Sequence, residues 1–123
     1  MGKKGIKILL IEDEAAVREL LMDELSSQGY SVVEAANGEE GLKNILSERP
    51  DLILCDRAMP GMSGYDLLER IRTTYTEYSK IPFIFLTALT DPRDKAAVEH
   101  LNPSAYLEKP VDFNLLEEKI KVL

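Results

Sequence analysis

The sequence predicts an α/β fold: a doubly wound, five-stranded parallel sheet with five helices on its two sides. Two observations predict it. Five short apolar runs, rich in branched residues, alternate along the chain with five stretches of helical periodicity. Turn residues and helix caps separate these stretches, which is the order expected of repeated βαβ units. The length of 123 residues suits one domain, which we expect to span 1–123.

The N-terminal part of the chain predicts two strands, each followed by a helix. The apolar runs at 6–11 and 30–35 are short and rich in branched residues, which favours strands. Gly29 ends the first helix, and Asn37-Gly38 forms the turn before the second. Apolar residues at helical spacing mark the inward faces: Val17, Leu20, Leu21 and Leu25 in the first helix, and Leu42, Ile45 and Leu46 in the second.

The middle of the chain predicts two further strands. The run at 52–55 is continuously apolar, which is typical of a strand buried on both faces. The segment 59–64 is predicted to be a loop, with Ser63 as the cap of a third helix. A polar connection at 73–80 then leads to the fourth strand at 83–86. The apolar side of the third helix is formed by Leu67, Leu68 and Ile71.

The C-terminal part predicts the last two helices and the last strand. Asp91 followed by Pro92 predicts an N-cap and the first position of the fourth helix. Residues 105–107 form a short fifth strand, and Asp112 caps the fifth helix. Its acidic pair Glu117–Glu118 is expected on a solvated face. The apolar face of this helix is formed by Phe113, Leu116, Ile120 and Leu123.

Composition excludes several classes of function. Lys and Arg total 15 against 22 Asp and Glu, so the net charge is −7 and direct binding to nucleic acid is not expected. One cysteine, Cys55, excludes an internal disulfide framework and suits a reducing compartment, which predicts a cytoplasmic protein. No apolar run approaches the roughly 18 residues of a membrane span, and no signal peptide is present, so no membrane association is expected.

Five polar side chains stand where the predicted strands end. They are Glu12 and Asp13 after the first strand, Asp56 after the third, Thr87 after the fourth and Lys109 after the fifth. A parallel sheet gathers these ends at one rim, where ligands bind. Clustered carboxylates repel one another unless a cation joins them, and hard oxygen ligands suit Mg²⁺. Because a carboxylate can accept a phosphoryl group that metal, ammonium and hydroxyl stabilise, the set predicts phosphoryl transfer to an aspartate.

Together with their neighbours, these residues carry a resemblance to a known family. The motifs stand in order at the expected strand ends: MPGMSG at 59–64 after Asp56, Thr87-Ala88, and Tyr106 three places before Lys109-Pro110. The chain thereby resembles the response-regulator receiver domain of two-component signalling, a CheY-like fold with strand order 2-1-3-4-5. The resemblance covers residues 6–123 and implies a receiver domain without an effector domain in this chain.

The resemblance implies a role for each residue of the acidic set. Asp56 would accept a phosphoryl group from a histidine kinase or a histidine phosphotransfer protein. Glu12, Asp13 and Asp56, with the backbone carbonyl of Ala58, would hold Mg²⁺ directly or through water. Lys109 would pair with the phosphoryl oxygens.

Thr87 and Tyr106 are implied to form a switch. Thr87 would hydrogen-bond to a phosphoryl oxygen, and Tyr106 would swing inward when Thr87 moves. The change would alter the face made by the fourth helix, the fifth strand and the fifth helix, where a downstream protein or effector domain would bind. The domain is thereby implied to be a signalling domain that assists its own phosphorylation and dephosphorylation, not an enzyme. The Lys109-Pro110 turn is implied to contain a cis peptide bond.

The site residues also have structural interpretations. Asp13 alone suits a helix N-cap, Lys109 a solvated lysine and Thr87 an ordinary strand end. Tyr106 suits a half-buried aromatic with its hydroxyl in water. Asp56 has few structural reasons to follow so apolar a run, because an unpaired buried carboxylate is costly.

Two other functions stand as alternatives. A pseudo-receiver binds partners without phosphate and usually lacks an acidic, threonine or lysine site residue, but none is missing here. An enzyme that passes through an aspartyl phosphate would need a second aspartate two places after the nucleophile, where Ala58 stands.

The chain departs from the family pattern at two places. Asn-Pro-Ser-Ala at 102–105 replaces a common Gly-Ala-Asp-Asp, so Asn102 is expected to take the left-handed conformation of the glycine. The acidic pair that supports a charge-paired dimer in some regulators is absent. Ala58 and Leu89 are apolar at places that influence the approach of water, so we expect slow loss of the phosphoryl group.

Overall fold

A computed structural model describes residues 5–88 and 92–123, apart from the side chains of 92–95. In these residues five strands alternate with five α-helices, as predicted, and the strand bounds agree with the prediction to within one residue. The bounds are β1 Lys7–Ile11, α1 Ala15–Ser27, β2 Ser31–Ala35, α2 Gly38–Glu48, β3 Leu52–Asp56, α3 Gly64–Thr73, β4 Phe83–Thr87, α4 Pro92–Glu99, β5 Ala105–Glu108 and α5 Phe113–Lys121.

All strand pairs of the sheet are parallel, in the order β2-β1-β3-β4-β5. The predicted doubly wound topology is therefore confirmed. Ile11 lies beside Cys55, and Asp56 beside Leu86. Because the strands run the same way with this register, their carboxyl ends reach one rim together.

Alternation along the strands divides the core between the two sides of the sheet. Leu9, Ile53 and Phe85 face the side covered by α2, α3 and the end of α4. Leu10 and Leu54, one position away, face the side covered by α1 and α5. All five side chains are fully buried, as expected of central parallel strands covered on both faces.

Short polar contacts fix the start of α3 beside the end of β3. Ser63 forms the predicted cap: its hydroxyl accepts from Asp66 N at 3.0 Å, and the Asp66 carboxylate accepts from Ser63 N at 3.1 Å. Gly64 lies against the backbone carbonyl of Asp56 so closely that a Cβ would overlap it. A side chain is excluded here because the helix starts directly against the end of the strand.

The prediction of a polar connection at 73–80 is wrong in part. α3 runs to Thr73, and Thr76–Tyr78 form a 3-10 helix. Tyr78 is only 7% exposed because it packs into the core on the α2 and α3 side, with the Arg49 guanidinium 5.1 Å from its ring centre. Tyr78, with the partly buried Tyr75, thus anchors a segment whose other residues are polar.

Three apolar residues predicted to face the core are exposed instead. Leu20 is 61% exposed, Leu46 37% and Leu123 51%. Leu20 is turned about 100° from the buried Leu21 around the helix axis, beyond the narrow stripe that α1 buries. Leu123 lies after Lys121, the last residue of α5, so no helix holds it on the apolar face.

Three further predictions concern the caps and turns at Asp91, Asn102 and Asp112. Asn102 has φ +54°, which confirms its left-handed conformation. Asp112 caps α5 by accepting from the backbone of Asn114 and Leu115, as predicted. The predicted N-cap Asp91 lies outside the described residues. In the part of the chain that is described, no helix has the length and apolar character needed to cross a membrane.

Helix α5 is tied to the residue before β2 by a contact absent from the sequence interpretation. Tyr30 is 5% exposed, and its hydroxyl donates to Glu117 Oε1 at 2.8 Å. The expectation of a solvated pair is therefore wrong for Glu117 and holds for the exposed Glu118. Burial, reinforced by the Glu117 carboxylate, raises the pKa of the Tyr30 hydroxyl.

Tyr30→Phe is expected to lower the free energy of unfolding by about 1–2 kcal/mol at neutral pH, because it removes a buried hydrogen bond to a carboxylate. The pKa of Tyr30 is higher in the folded state than its ordinary value of 10.0. Its contribution is therefore complete below pH 10.0 and lost as the pH rises through the folded-state value. Urea unfolding at pH 7 and above pH 10 measures both effects. A loss no larger than that of Tyr75→Phe would contradict this account.

Candidate functional site

The predicted rim residues come together in the structure. Glu12 and Asp13 follow β1, and Asp56 is the last residue of β3. One carboxylate oxygen from each of these three residues lies within 4.8 Å of the others. Lys109 follows β5 and reaches the same place, which we call the acidic site. The distant positions in the sequence meet because parallel strands end at one rim.

Lys109 forms two ion pairs in the acidic site. Its Nζ lies 2.6 Å from Glu12 Oε1 and 2.9 Å from Asp56 Oδ2. The side chains of Lys109, Glu12 and Asp56 are 13%, 0% and 8% exposed. The interpretation of Lys109 as a solvated lysine is therefore wrong. The Lys109-Pro110 peptide bond is cis, as the resemblance implied.

Burial and pairing shift the pKa values of this group. Burial raises the pKa of Glu12, although the ion pair with Lys109 opposes the shift. Burial would lower the pKa of Lys109, but its pairing with Glu12 and Asp56 outweighs this and the net shift is upward. Lys109 is thus held as a cation between two carboxylates.

The backbone around Glu12 is held by its neighbours. Glu12 Oε2 accepts from Glu14 N at 3.1 Å, and the Glu12 carbonyl accepts from Arg18 Nη1 at 2.7 Å. The N-cap position of α1 is Glu14, not Asp13, and no side chain caps this helix. Asp13 is exposed at the mouth of the site, so the interpretation of Asp13 as a helix cap is wrong.

The loop after β3 is held beside the acidic site. Ala58 is exposed, and its N–H lies 3.4 Å from Asp56 Oδ1. Gly61 has φ +75°, a left-handed turn conformation. Met62 N donates to a Glu39 carboxylate oxygen at 3.3 Å, which joins the loop to the first turn of α2. The loop is therefore attached to β3 near Ala58 and to α2 at Met62.

Thr87 and Tyr106 lie on adjacent strands. Thr87 is 1% exposed at the end of β4, and its carbonyl accepts from Lys109 N at 2.7 Å. The Tyr106 ring packs 5.9 Å from that of Phe85. The Tyr106 hydroxyl is buried and has no hydrogen-bond partner among the described groups of residues 5–88, 92–95 (backbone) and 96–123. The structural interpretation of Tyr106 as half-buried therefore holds, but its hydroxyl does not lie in water.

Four further residues near the strand ends or just after α4 have other surroundings or are not described. Cys55 is fully buried, and burial raises the pKa of its thiol well above the ordinary value. His100 is exposed after α4 and lies near Tyr65. Leu89 lies outside the described residues. Arg57, which the sequence interpretation did not mention, directly follows Asp56 and places its guanidinium 5.4 Å from the centre of the Tyr65 ring.

The donor set of the acidic site fits Mg²⁺. Three carboxylates supply hard oxygen ligands, and the exposed Asp13 leaves one side open for water. The cluster has only Lys109 to offset its negative charge among the described residues. Receiver domains generally bind Mg²⁺ at such an acidic pocket.

The fold and this rim define a receiver domain of two-component response regulators. The chain matches the family described as "Response regulator receiver domain" over residues 8–121, and it belongs to that family. Response regulators of two-component systems interact with histidine kinases and effector domains.

Two solved structures are close in fold. Chemotaxis protein CheY4 of Vibrio cholerae has a TM-score of 0.87 and 30% identity, covering 96% of this chain and 98% of that chain. A putative response regulator from Chloroflexus aurantiacus has a TM-score of 0.87 and 34% identity, covering 97% of each chain.

Curated relatives are longer than this chain. The transcriptional regulatory protein AfsQ1 of Streptomyces coelicolor is 39% identical over 116 residues, which are 94% of this chain and 50% of that protein. The probable transcriptional regulator ycf27 of Porphyridium aerugineum is 39% identical over 115 residues, 94% of this chain and 46% of that protein. The chain thus spans about half the length of these relatives.

Proposed function

We propose that this domain accepts a phosphoryl group on Asp56 from a histidine of a kinase or phosphotransfer protein, in a Mg²⁺-dependent step. One observation carries the proposal: the Asp56 carboxylate lies with Glu12 and Asp13 within 4.8 Å and is paired with Lys109 at 2.9 Å. This arrangement holds a nucleophile, a metal-binding pair and a cation together at an open rim.

Asp56 is the nucleophile of the transfer. One of its carboxylate oxygens forms a bond to phosphorus while the bond from phosphorus to the donor imidazole nitrogen breaks. The electron pair of that bond stays on the imidazole nitrogen. The imidazole leaves as a neutral ring when its other nitrogen already carries a proton, and otherwise it takes a proton from solvent. Glu12 and Asp13, with Asp56 and the Ala58 carbonyl, would hold Mg²⁺, which supplies charge stabilisation for the transferred group when bound.

Lys109 contributes the fixed cation of the site. Before transfer it is paired with Asp56 and Glu12, and after transfer it pairs with a phosphoryl oxygen. The Lys109 backbone is hydrogen-bonded to Thr87, so a change at either residue reaches the other. The Thr87 hydroxyl takes a second phosphoryl oxygen as its partner.

The buried Tyr106 supports a switch role. A buried hydroxyl without a partner costs free energy, so the preferred position of the Tyr106 side chain depends on whether a neighbouring residue offers a hydrogen-bond partner. Phosphorylation at Asp56 moves Thr87, and Tyr106 responds from the next strand. The face of α4, β5 and α5 then binds a downstream protein or an effector domain. The names of AfsQ1 and ycf27 favour a transcriptional output.

Incubation with acetyl phosphate tests this function directly. With Mg²⁺ present, the intact mass is expected to increase by one phosphoryl group. Removal of Mg²⁺ with a chelator should prevent the increase, because the charge of the transferred group is then not balanced. An unchanged mass with Mg²⁺, in a folded protein, would leave the pseudo-receiver alternative.

Ala58→Asn is expected to shorten the lifetime of the phosphorylated domain. Hydrolysis needs a water oriented behind the phosphorus, and alanine offers no hydrogen bond to hold it. Asparagine at this exposed position supplies one. The rate at which the phosphorylated domain disappears after removal of the phosphoryl donor measures the effect, with Ala58→Val as the apolar control. Equal or slower decay in Ala58→Asn would overturn the argument from water orientation.

A further inference from the structure

One side chain of α3 binds the backbone just after α4. Arg72 lies in the last turn of α3, and its guanidinium donates to three carbonyls. The bonds reach Leu101 O at 2.8 Å, Ser79 O at 2.6 Å and Asn102 O at 3.1 Å. The planar fork therefore joins the end of α4 to the segment that precedes β4.

The Leu101 and Asn102 carbonyls follow the last turn of α4, where the helix supplies no further backbone N–H donors. The N–H groups of Leu101 and Asn102 close the last turn onto Val98 O and Glu99 O at 3.0 and 2.9 Å. Asn102 then reverses the chain with φ +54°, so the carbonyls of both residues point away from the helix ladder. A cation at this end is also favoured by the helix dipole. A lysine ammonium lacks the fork needed for three bonds.

A second contact joins α3 to the same end of α4. The Tyr65 hydroxyl, in the first turn of α3, lies 3.4 Å from His100 Nε2, and the two rings are 6.0 Å apart. Leu101, the next residue, is 6% exposed and belongs to the core. The C-terminal end of α4 is thus attached to α3 by side chains from both ends of α3.

The attachment continues into β5. Ser104 N donates to Phe83 O at 2.8 Å, and the Ser104 hydroxyl accepts from Phe83 N at 3.2 Å. These bonds start the pairing of β5 with β4 directly after the Arg72 contacts. Tyr106 lies two residues after Ser104, so its backbone follows a residue that is hydrogen-bonded to β4.

We propose that Arg72 is a positioning residue that pins the C-terminal end of α4 to α3 in both the unphosphorylated and the phosphorylated state. A conformational change that starts at Thr87 therefore stops before Leu101 and Asn102, because Arg72 holds these two residues in place. The inference rests on the proposed function, because it assigns the regulation of the same site. The three bonds of Arg72 go to backbone carbonyls outside the acidic site, so it acts on the switch and not on the acceptor chemistry.

Amide hydrogen exchange followed by NMR tests the pin in the unphosphorylated protein. In Arg72→Lys the exchange rates of the Leu101 and Asn102 amides should rise about tenfold or more, because bonds to a charged group are lost. The Leu54 amide in β3 should be unchanged. Arg70→Lys is the matched control, since Arg70 lies on the same helix with its guanidinium over Tyr75. Unchanged exchange at 101–102, or an equal rise at Leu54, would overturn the proposal. Arg72→Gln replaces Arg72→Lys if the latter does not fold.

Beryllium fluoride with Mg²⁺, a mimic of the phosphoryl group, tests confinement. In the wild type it should shift the amide signals of Thr87 and Ala88 and leave those of Leu101 and Asn102 in place. In Arg72→Lys the shifts should extend to both latter residues. Shifts at Leu101 and Asn102 in the wild type as large as at Thr87 would overturn confinement. If Thr87 does not respond in the wild type, the proposed function fails, and the exchange rates still decide whether Arg72 is a pin.

Discussion

Asp56→Asn is expected to take up no phosphoryl group from acetyl phosphate and Mg²⁺, under conditions in which the wild type takes up one. An amide is not a carboxylate nucleophile, so the transfer has no acceptor. The substitution keeps the shape of the side chain and leaves Lys109 its second partner, Glu12, at 2.6 Å. The domain should therefore stay folded, which circular dichroism checks.

The matched control for this variant is Asp23→Asn. Asp23 is an exposed aspartate on α1, away from the rim, and its replacement should leave phosphorylation unchanged. Intact mass spectrometry of the three proteins gives the comparison. Phosphate that persists in Asp56→Asn would show that another residue is the acceptor.

The second large effect is the dependence of stability on Mg²⁺. A metal that binds only the folded state adds about 2.7 kcal/mol to the free energy of unfolding at roughly a hundredfold excess over Kd. The wild type should show this increase because Mg²⁺ offsets repulsion among Glu12, Asp13 and Asp56. Asp13→Ala should lose most of it, since a ligand or its water-bridging partner is removed.

Urea unfolding with and without Mg²⁺ measures the difference. Glu19→Ala is the control, because Glu19 is an exposed carboxylate on α1 and contributes nothing to the cluster. The same Mg²⁺ effect in Asp13→Ala and in the control would mean that Asp13 is not part of a metal site. No Mg²⁺ effect in the wild type would remove the rim from consideration as a metal site altogether.

The strands were predictable from the sequence because their burial leaves a direct pattern. Runs such as 52–55 and 83–86 are continuously apolar and rich in branched or aromatic residues, as strands covered on both faces require. The cap at Ser63 was predictable for a similar reason, since its contacts are local. Contacts between residues that lie close together in the chain can therefore be predicted from the sequence.

Contacts that depend on distant segments were not predictable. Tyr78 is buried because it packs into the core on the α2 and α3 side, and nothing in its own segment marks a core residue. Glu117 meets Tyr30 from 87 positions away. Leu20 satisfies helical spacing yet lies outside the stripe that tertiary packing covers.

The acidic site was predictable in its members but not in its internal pairing. Parallel strand ends bring Glu12, Asp13 and Asp56 together whatever the details of packing. The bridging of Glu12 and Asp56 by Lys109 depends on the conformation of the segment after β5, which spacing alone does not specify. The three bonds of Arg72 likewise leave no sequence motif, because all its acceptors are backbone carbonyls.

The most direct test of the phosphoacceptor role is to map the phosphorylated residue in the wild type. The protein is treated with acetyl phosphate and Mg²⁺, reduced with borohydride to convert an aspartyl phosphate into homoserine, and digested for peptide mass spectrometry. We predict homoserine at position 56 and at no other aspartate. Phosphate on another residue, such as His100 or Asp13, or no modification of a folded protein that binds Mg²⁺, would contradict the proposed function.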